Sequence, residues 1–202
     1  MKLENILKDP WKHMVATMLK DLTENIKQCP DDPDRYYERG CKYLNLGGLD
    51  SKAIEDFSQA IYLDSGHCPA FYARGFSHAK LGEHKKAIGD YGEALKINHY
   101  LGQVHYGMGV SYDALDDQNS AIYHYVKAIN LDPDSSTYKQ ALDNYSEVAE
   151  MQPWNSEALY NLGMVGKEMR DYESAIENFT KMIRIQPDWE GGYLRRAECY
   201  EA

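Results

Sequence analysis

The chain of 202 residues is 43% hydrophobic and 12% aromatic, which is enough apolar material to bury the core of one ordinary domain. Its formal net charge of −10 disfavours a nucleic-acid partner, because binding to phosphates requires clustered Lys and Arg. The sequence has neither an apolar signal segment at its N-terminus nor an apolar run of about 18 residues, the length that a membrane span needs. We therefore expect neither a nucleic-acid nor a membrane partner.

The four cysteines are dispersed and form no CxxC pair: Cys29, Cys41, Cys68 and Cys199. This spacing favours reduced thiols over a disulfide framework or a zinc site. We therefore expect a cytoplasmic protein that binds no metal and no cofactor.

The first predicted element is an amphipathic helix over residues 11–28, within an N-terminal capping region of residues 1–32. Its apolar residues lie along one stripe: Val15, Met18, Leu19, Leu22 and Ile26. The sequence Pro30-Asp31-Asp32-Pro33 ends this helix and begins the next, since acidic residues and proline favour a helix N-terminus. We expect the helix to cap the stack of hairpins that follows.

Alanine recurs after this helix at steps of 34, 34 and 54 residues, each time four residues before an aromatic residue: Ala53, Ala87, Ala121 and Ala175. A glycine precedes each alanine by twelve or thirteen residues: Gly40, Gly75, Gly109 and Gly163. A fixed period of 34 residues indicates stacked helical hairpins. Close packing of two helices requires small residues where they cross, so we expect these glycines to meet the alanines of the partner helices.

This order of residues resembles the tetratricopeptide repeat: an aromatic residue or Leu, a small residue and an aromatic residue, followed by Ala, an aromatic residue and Pro. The resemblance recurs in register across residues 33–202 and implies an all-α, right-handed superhelical solenoid of antiparallel helix hairpins. The first aromatic position lacks the tryptophan of the family and carries other residues: Tyr36, Phe71, His105, Leu159 and Tyr193. The closing proline is replaced by Ser65 and His99 in the first two repeats.

The resemblance divides the chain into a capping region and successive repeats. Full repeats are predicted over four ranges: residues 33–66, 67–100, 101–134 and 155–188. Their hairpins are expected over 34–64, 68–97, 102–131 and 156–185, with turns at Gly47-Gly48, Gly82 and Asp116-Asp117.

Two predicted segments are incomplete repeats. Residues 135–154 form a half repeat that has the second helix only, over 137–151, which either docks into the stack or marks the loss of a first helix. Residues 189–202 form the first helix of a truncated or capping repeat, with an apolar edge that includes Tyr193, Leu194 and Tyr200. Such an edge indicates a partner, a second subunit or the continuation of a longer protein.

In the family, the first helix of each hairpin lines a concave groove. The resemblance therefore places a row of tyrosines there, followed one turn later by apolar or thiol side chains where many members carry asparagine. The candidate peptide-binding residues are Tyr37, Cys41, Tyr72, Phe76, Tyr106, Val110, Asp113, Tyr160 and Met164. Both rows also have a structural interpretation, since half-buried tyrosines pack between helices whatever binds, and neighbouring helices can cover the second row.

Charged residues near this groove predict a mixed surface. The acidic candidates are Asp34, Glu38 and Asp113, and we expect Lys80 and Lys167 to oppose them. A second set of bases precedes the Gly or Ala of the first helices: Arg39, Arg74 and Arg196. Similar repeats carry arginine there as a structural residue, and we expect the same role here.

The family includes adaptors that capture chaperone C-terminal carboxylates with Lys, Asn and Arg. The matching positions here hold Tyr37, Cys41, Ala73, Gln103 and Gly107, so this carboxylate clamp is not predicted. Signatures of common enzymes are missing as well: GxSxG, the P-loop, GxGxxG and HExxH. The seven histidines do not pair at i and i+4, and no metal-ligand spacing occurs.

The sequence thus predicts a non-enzymatic scaffold or adaptor that holds a peptide or helix of another protein in its concave groove. One alternative is a structural scaffold that self-assembles into a homo-oligomer through its terminal helices. The other is a substrate-presenting fragment of a larger enzyme.

Overall fold

The structure, a computed structural model, describes residues 10–132 and 153–202, and within these ranges it contains ten α-helices and no strand. The predicted all-α class is confirmed. Two compact units divide the chain, residues 1–99 and 100–202. The helices of the first unit are α1 (Pro10–Gln28), α2 (Pro33–Leu46), α3 (Asp50–Leu63), α4 (Cys68–Lys80) and α5 (His84–Ile97). Those of the second unit are α6 (Gly102–Asp113), α7 (Gln118–Leu131), α8 (Ser156–Glu168), α9 (Tyr172–Ile185) and α10 (Glu190–Tyr200). The helix predicted over 137–151 lies outside the described residues.

Local side chains determine where several helices begin. Asp32 caps α2 by accepting a hydrogen bond from the Asp34 backbone N–H at 3.0 Å, and Pro33 occupies the first turn. Asp117 and Asp171 cap α7 and α9 in the same way. The cap of α4 is unusual, since His67 Nδ1 accepts from the Ala70 N–H at 3.1 Å.

The hairpin turns adopt left-handed backbone conformations at or beside the predicted positions. Gly47, Gly48 and Gly82 have φ values of +67°, +71° and +76°, which glycine adopts without steric cost. Asp116 and Arg170 occupy the same region with φ of +60° and +61° in the turns of the second unit. Aspartate tolerates this conformation better than most residues, whereas arginine does not.

In the first unit, α2 pairs with α3 and α4 pairs with α5, while α3 packs against α4 and α1 packs against α2. The core between the hairpins consists of small residues around one aromatic ring: Ala53, Phe57, Ala60, Ala70 and Ala73. The predicted capping position of the N-terminal helix is therefore observed, with Ile26 as its buried residue.

In the second unit, α6 pairs with α7 and α8 pairs with α9, and α10 packs against α9. Helix α7 contacts α8 directly, although residues 132–155 separate them in the sequence. The Asn161 side-chain amide donates to Gln118 Oε1 across this contact, and Val165 packs against the core of the α6–α7 hairpin. Hairpins on either side of the predicted half repeat are thus stacked neighbours.

The expected contact between glycine and alanine is observed at Gly75, where a Cβ would lie 3.2 Å from the Ala87 carbonyl oxygen, but the nearest atoms at all four crossings belong to aromatic rings. A Cβ atom at Gly40 would lie 2.6 Å from Cε1 of Phe57, and one at Gly163 would lie 2.5 Å from Cε1 of Phe179. The aromatic residue one turn after the alanine reaches back across the crossing, so its ring occupies the space beside the glycine. Gly166, which the sequence did not single out, also meets an alanine, since a Cβ there would lie 3.0 Å from the Ala175 nitrogen.

Candidate peptide-binding surface

We call α2, α4, α6, α8 and α10 first-type helices and α3, α5, α7 and α9 second-type helices. In the first unit, the predicted tyrosines are half-buried, and each packs on a ring of its own second-type helix. The ring centroids of Tyr37 and Phe57 are 5.8 Å apart, and those of Tyr72 and Tyr91 are 6.0 Å apart. Tyr37 also packs on His67 at 5.1 Å. The tyrosines are therefore held in place without a ligand.

Tyr37 and Cys41 form a polar pair on α2. Burial, with a smaller contribution from the hydrogen bond to Cys41, raises the pKa of Tyr37 to about 12. Burial likewise raises the pKa of the Cys41 thiol, and the Tyr37 hydrogen bond opposes this only in part. Both groups are consequently neutral at pH 7, and the thiol is a poor nucleophile.

Phe76 on α4 differs from the other ring residues, because 44% of its surface is exposed. The Lys80 ammonium lies 6.0 Å from its ring centroid and 2.8 Å from Asp50 Oδ1. Asp50 is buried at the start of α3. The expected opposition of Lys80 to the groove acids is therefore wrong: its charge is paired with a buried carboxylate of the neighbouring hairpin.

Two acids of α2, Asp34 and Glu38, are exposed. Asp34 keeps 77% of its side chain exposed while its Oδ1 lies 3.1 Å from His67 Nε2. Glu38 is exposed, and its negative charge contributes to the raised pKa of the Cys41 thiol, which is due mainly to burial. Arg35 pairs with Asp32 at 3.1 Å.

In the second unit, Tyr106 packs on Tyr125 with ring centroids 5.8 Å apart. Val110, one turn further along α6, is 38% exposed, and Asp113 is exposed at the end of the helix. Tyr160 packs on Phe179 at 5.9 Å and meets the edge of Trp189 at 4.9 Å.

The second row of predicted groove residues divides into two classes. Phe76 and Val110 are exposed, whereas Cys41 and Met164 are half-buried and pack against the cores of their units. Within this row, the exposed apolar side chains are therefore Phe76 on α4 and Val110 on α6.

Lys167 was expected to oppose acidic groove residues, and this expectation is wrong as well. Its ammonium pairs with Glu198 of α10, which also accepts from Arg195 Nη1 at 2.9 Å. Arg195 hydrogen-bonds the Tyr160 hydroxyl in addition. The hydrogen bond from Lys167, followed by that from Arg195, lowers the pKa of Glu198. These charges form a local network between α8 and α10.

The structural role predicted for the arginines is observed: Arg39 and Arg74 bind carboxylates of their own hairpins, and Arg196 of α10 donates to Thr180 of α9 at 3.2 Å. Arg39 donates from Nε and Nη2 to both oxygens of Asp56, at 2.8 and 2.7 Å, and from Nη1 to Thr23 of α1 at 3.2 Å. Arg74 repeats this arrangement with Asp90 and with Ser58 of the preceding hairpin. Each arginine thereby ties its own hairpin to the helix before it.

The aspartate partners were missed in the sequence, although a signal for them exists. An aspartate follows the recurrent alanine by three residues in the first two repeats, where the arginine also occurs. At the positions of this arginine and aspartate, the third repeat has Met108 and His124, and the fourth repeat has Leu162 and Asn178.

A pair of histidines was also missed. Nδ1 of His105 and Nδ1 of His124 lie 2.9 Å apart across the α6–α7 hairpin, and Tyr112 stacks on His124 at 5.4 Å. Burial, followed by the charge of His105, lowers the pKa of His124 to about 4. Burial, followed by the charge of Lys127, lowers the pKa of His105. Both rings are therefore neutral at pH 7.

Among residues 10–132 and 153–202, no group of three or more His, Cys, Asp or Glu side chains is arranged to hold a metal ion. The four cysteines are free thiols. None of the helices in the same ranges has the length and apolar character that crossing a membrane requires.

The sequence profile described as Tetratricopeptide repeat matches residues 102–135 and 156–188. Residues 102–135 and 156–188 are thus tetratricopeptide repeats by sequence. A curated relative, DnaJ homolog subfamily C member 7 of Mus musculus, is 34% identical over 67 residues, which cover 31% of this chain and 14% of that protein. The chain therefore matches about one seventh of that relative's length.

Solved structures resemble the whole repeat array. The crystal structure of MamA is 20% identical, with a TM-score of 0.58 over 87% of this chain and 91% of that chain. The crystal structure of YrrB, described as a TPR protein with an unusual peptide-binding site, is 21% identical, with a TM-score of 0.55 over 90% of this chain and 98% of that chain. These likenesses confirm the solenoid class of tetratricopeptide-repeat folds.

Proposed function

We propose that this chain is a protein-interaction module that binds an extended or helical segment of a partner protein along its first-type helices. Tetratricopeptide repeats generally serve such interactions, and YrrB is described as having a peptide-binding site. The observation that carries the proposal is the exposed Phe76 beside Tyr72, whose ring is already fixed against Tyr91. A pre-organised aromatic surface loses little conformational entropy when a ligand binds.

The binding energy would come from apolar side chains of the ligand packing on Phe76, with tyrosine hydroxyls meeting its backbone. We expect a single short peptide to bind near micromolar affinity, about −8 kcal/mol. The residues at the carboxylate-clamp positions, which include Tyr37 and Cys41, favour a ligand other than a chaperone C-terminus. The proposal includes a cytoplasmic location and an adaptor role without enzymatic activity of its own.

The test is loss of ligand binding in surface variants that keep their fold. Peptides selected on the parent protein from a random library should lose at least ten-fold in affinity for Phe76→Glu, with circular dichroism and melting close to the parent. Tyr62→Glu is the matched control, since Tyr62 is 82% exposed but lies on the second-type helix α3. Unchanged binding by Phe76→Glu would exclude this surface.

A second candidate function is self-assembly through α10, and its exposed apolar side chains favour it. Tyr193, Leu194 and Tyr200 are 43%, 58% and 69% exposed. If this face joins two copies, light scattering after size exclusion should give a mass that rises with concentration in the parent and stays monomeric in Leu194→Glu. A monomeric parent at every concentration would eliminate this candidate.

A further inference from the structure

We propose that the surface formed by α2 and α4 selects partner segments in which a large apolar residue and a Lys or Arg are about four residues apart. This inference rests on the proposed function and specifies the chemistry of its ligand. We call this surface the α2–α4 face and define it by Asp34, Glu38, Tyr37, Tyr72 and Phe76.

Side-chain contacts show that the face is continuous. Asp34 contacts His67, which caps the N-terminus of α4 and whose ring packs on Tyr37 of α2. Helix α2 also contacts α4 directly. Phe76 follows Tyr72 by one turn on α4.

The charges of the face favour a basic ligand. Asp34 and Glu38 are exposed, and Lys80, the base nearest to Phe76, is paired with the buried Asp50. Among the other Lys and Arg side chains of these two helices, the arginines are paired with carboxylates: Arg35 with Asp32, Arg39 with Asp56 and Arg74 with Asp90. Lys42 is half-buried and acts on the Cys41 thiol at the far end of α2 from Asp34. A cation of the ligand therefore belongs at the Asp34 end of the face, and an apolar side chain belongs at Phe76.

Helix geometry gives the spacing between these two subsites. The contact with His67 places the Asp34 carboxylate beside the N-terminus of α4, nine residues before Phe76. Nine residues of α-helix span about 13 Å along the axis, at 1.5 Å per residue. An extended peptide covers this distance in about four residues, at roughly 3.3 Å per residue. The expected ligand pattern is thus an apolar residue, three intervening residues and a Lys or Arg, in either chain direction.

The probe is a random 12-residue peptide library displayed on phage and selected on the full chain, followed by fluorescence polarisation with the selected synthetic peptides. The parent should enrich peptides that carry the predicted apolar and basic pair. The variant Asp34→Lys/Glu38→Lys should enrich acidic residues in place of the bases. Asp34→Asn should lower the affinity for a selected peptide about three-fold, which is the effect expected from the loss of one exposed ion pair. Glu55→Lys/Glu93→Lys, an equal charge reversal at exposed sites of the second-type helices α3 and α5, should leave the selection unchanged.

Two failures are distinguishable. Selected peptides that depend on Phe76 but lack Lys or Arg, or a selection that Asp34→Lys/Glu38→Lys does not alter, would overturn the charge preference and leave the proposed function intact. If no selected peptide loses affinity for Phe76→Glu, both this inference and the proposed use of the surface are wrong.

Discussion

The arginine–aspartate pair between α2 and α3 provides a test at the scale of single residues. Arg39→Leu leaves the buried Asp56 carboxylate without the two hydrogen bonds that neutralise it. Breaking a buried pair from one side costs about 3 kcal/mol. The double variant Arg39→Leu/Asp56→Asn should recover at least about 1 kcal/mol, because it removes the stranded charge. Leu162 and Asn178 occupy the corresponding positions of the fourth repeat, so the fold accommodates this combination.

Urea unfolding followed by circular dichroism measures the unfolding free energies of the parent, Arg39→Leu, Asp56→Asn and the double variant, which together form a double-mutant cycle. A double variant that is as unstable as Arg39→Leu would contradict the expected coupling between the two side chains.

Two helical glycines should respond to alanine with opposite changes in stability. A Cβ at Gly109 would lie 2.5 Å from the Tyr125 ring, so Gly109→Ala should lower the free energy of unfolding by about 1 to 3 kcal/mol through overpacking. A Cβ at Gly89 on α5 would meet nothing within 4 Å, so Gly89→Ala should raise it by about 0.5 to 1 kcal/mol. Thermal melts of the two variants provide the measurement, and a stabilised Gly109→Ala would show that the ring moves aside freely.

At the scale of the element, the α6–α7 hairpin is expected to lose stability in acid. The pKa of His124 is lowered to about 4 in the folded state, against about 6.5 when unfolded. Between these values the unfolded chain binds more protons, so the contribution is complete above pH 6.5 and is lost as the pH falls toward 4. His124→Asn, which introduces the residue found at Asn178, removes this titration.

Urea unfolding of the parent and of His124→Asn from pH 7 to pH 4.5 tests the hairpin. The difference between their unfolding free energies should shift by about 2 to 3 kcal/mol in favour of the variant, while titrating groups that do not interact with His124 cancel. A difference that stays constant over this range would show that His124 remains accessible to protons.

The helices and their turns were predictable from the sequence, whereas several side-chain partners were not. The period set by Ala53, Ala87 and Ala121 is local information, and each hairpin closes within one period. The partner of Lys80 is Asp50 on another hairpin, and His105 contacts His124 across a helix pair. Neither pair recurs from repeat to repeat, so the 34-residue pattern of the sequence does not reveal these contacts. Which residues bind a ligand stays a prediction, because the tyrosines that mark the surface also support the fold.

At the scale of the whole molecule, a stack in which each hairpin contacts only its neighbours should transmit damage over a short range. Gly40→Ala should force α2 and α3 apart, because the Phe57 ring of α3 leaves no room for a Cβ at position 40. Hydrogen exchange measured by mass spectrometry should accelerate most in α2 and α3, less in α4 and α5, and not at all in α8 and α9. Gly163→Ala should give the reverse pattern, strongest in α8 and α9. Equal acceleration of all helices in both variants would instead mean that the chain opens as one cooperative body, and stability would no longer be a sum over neighbouring hairpins.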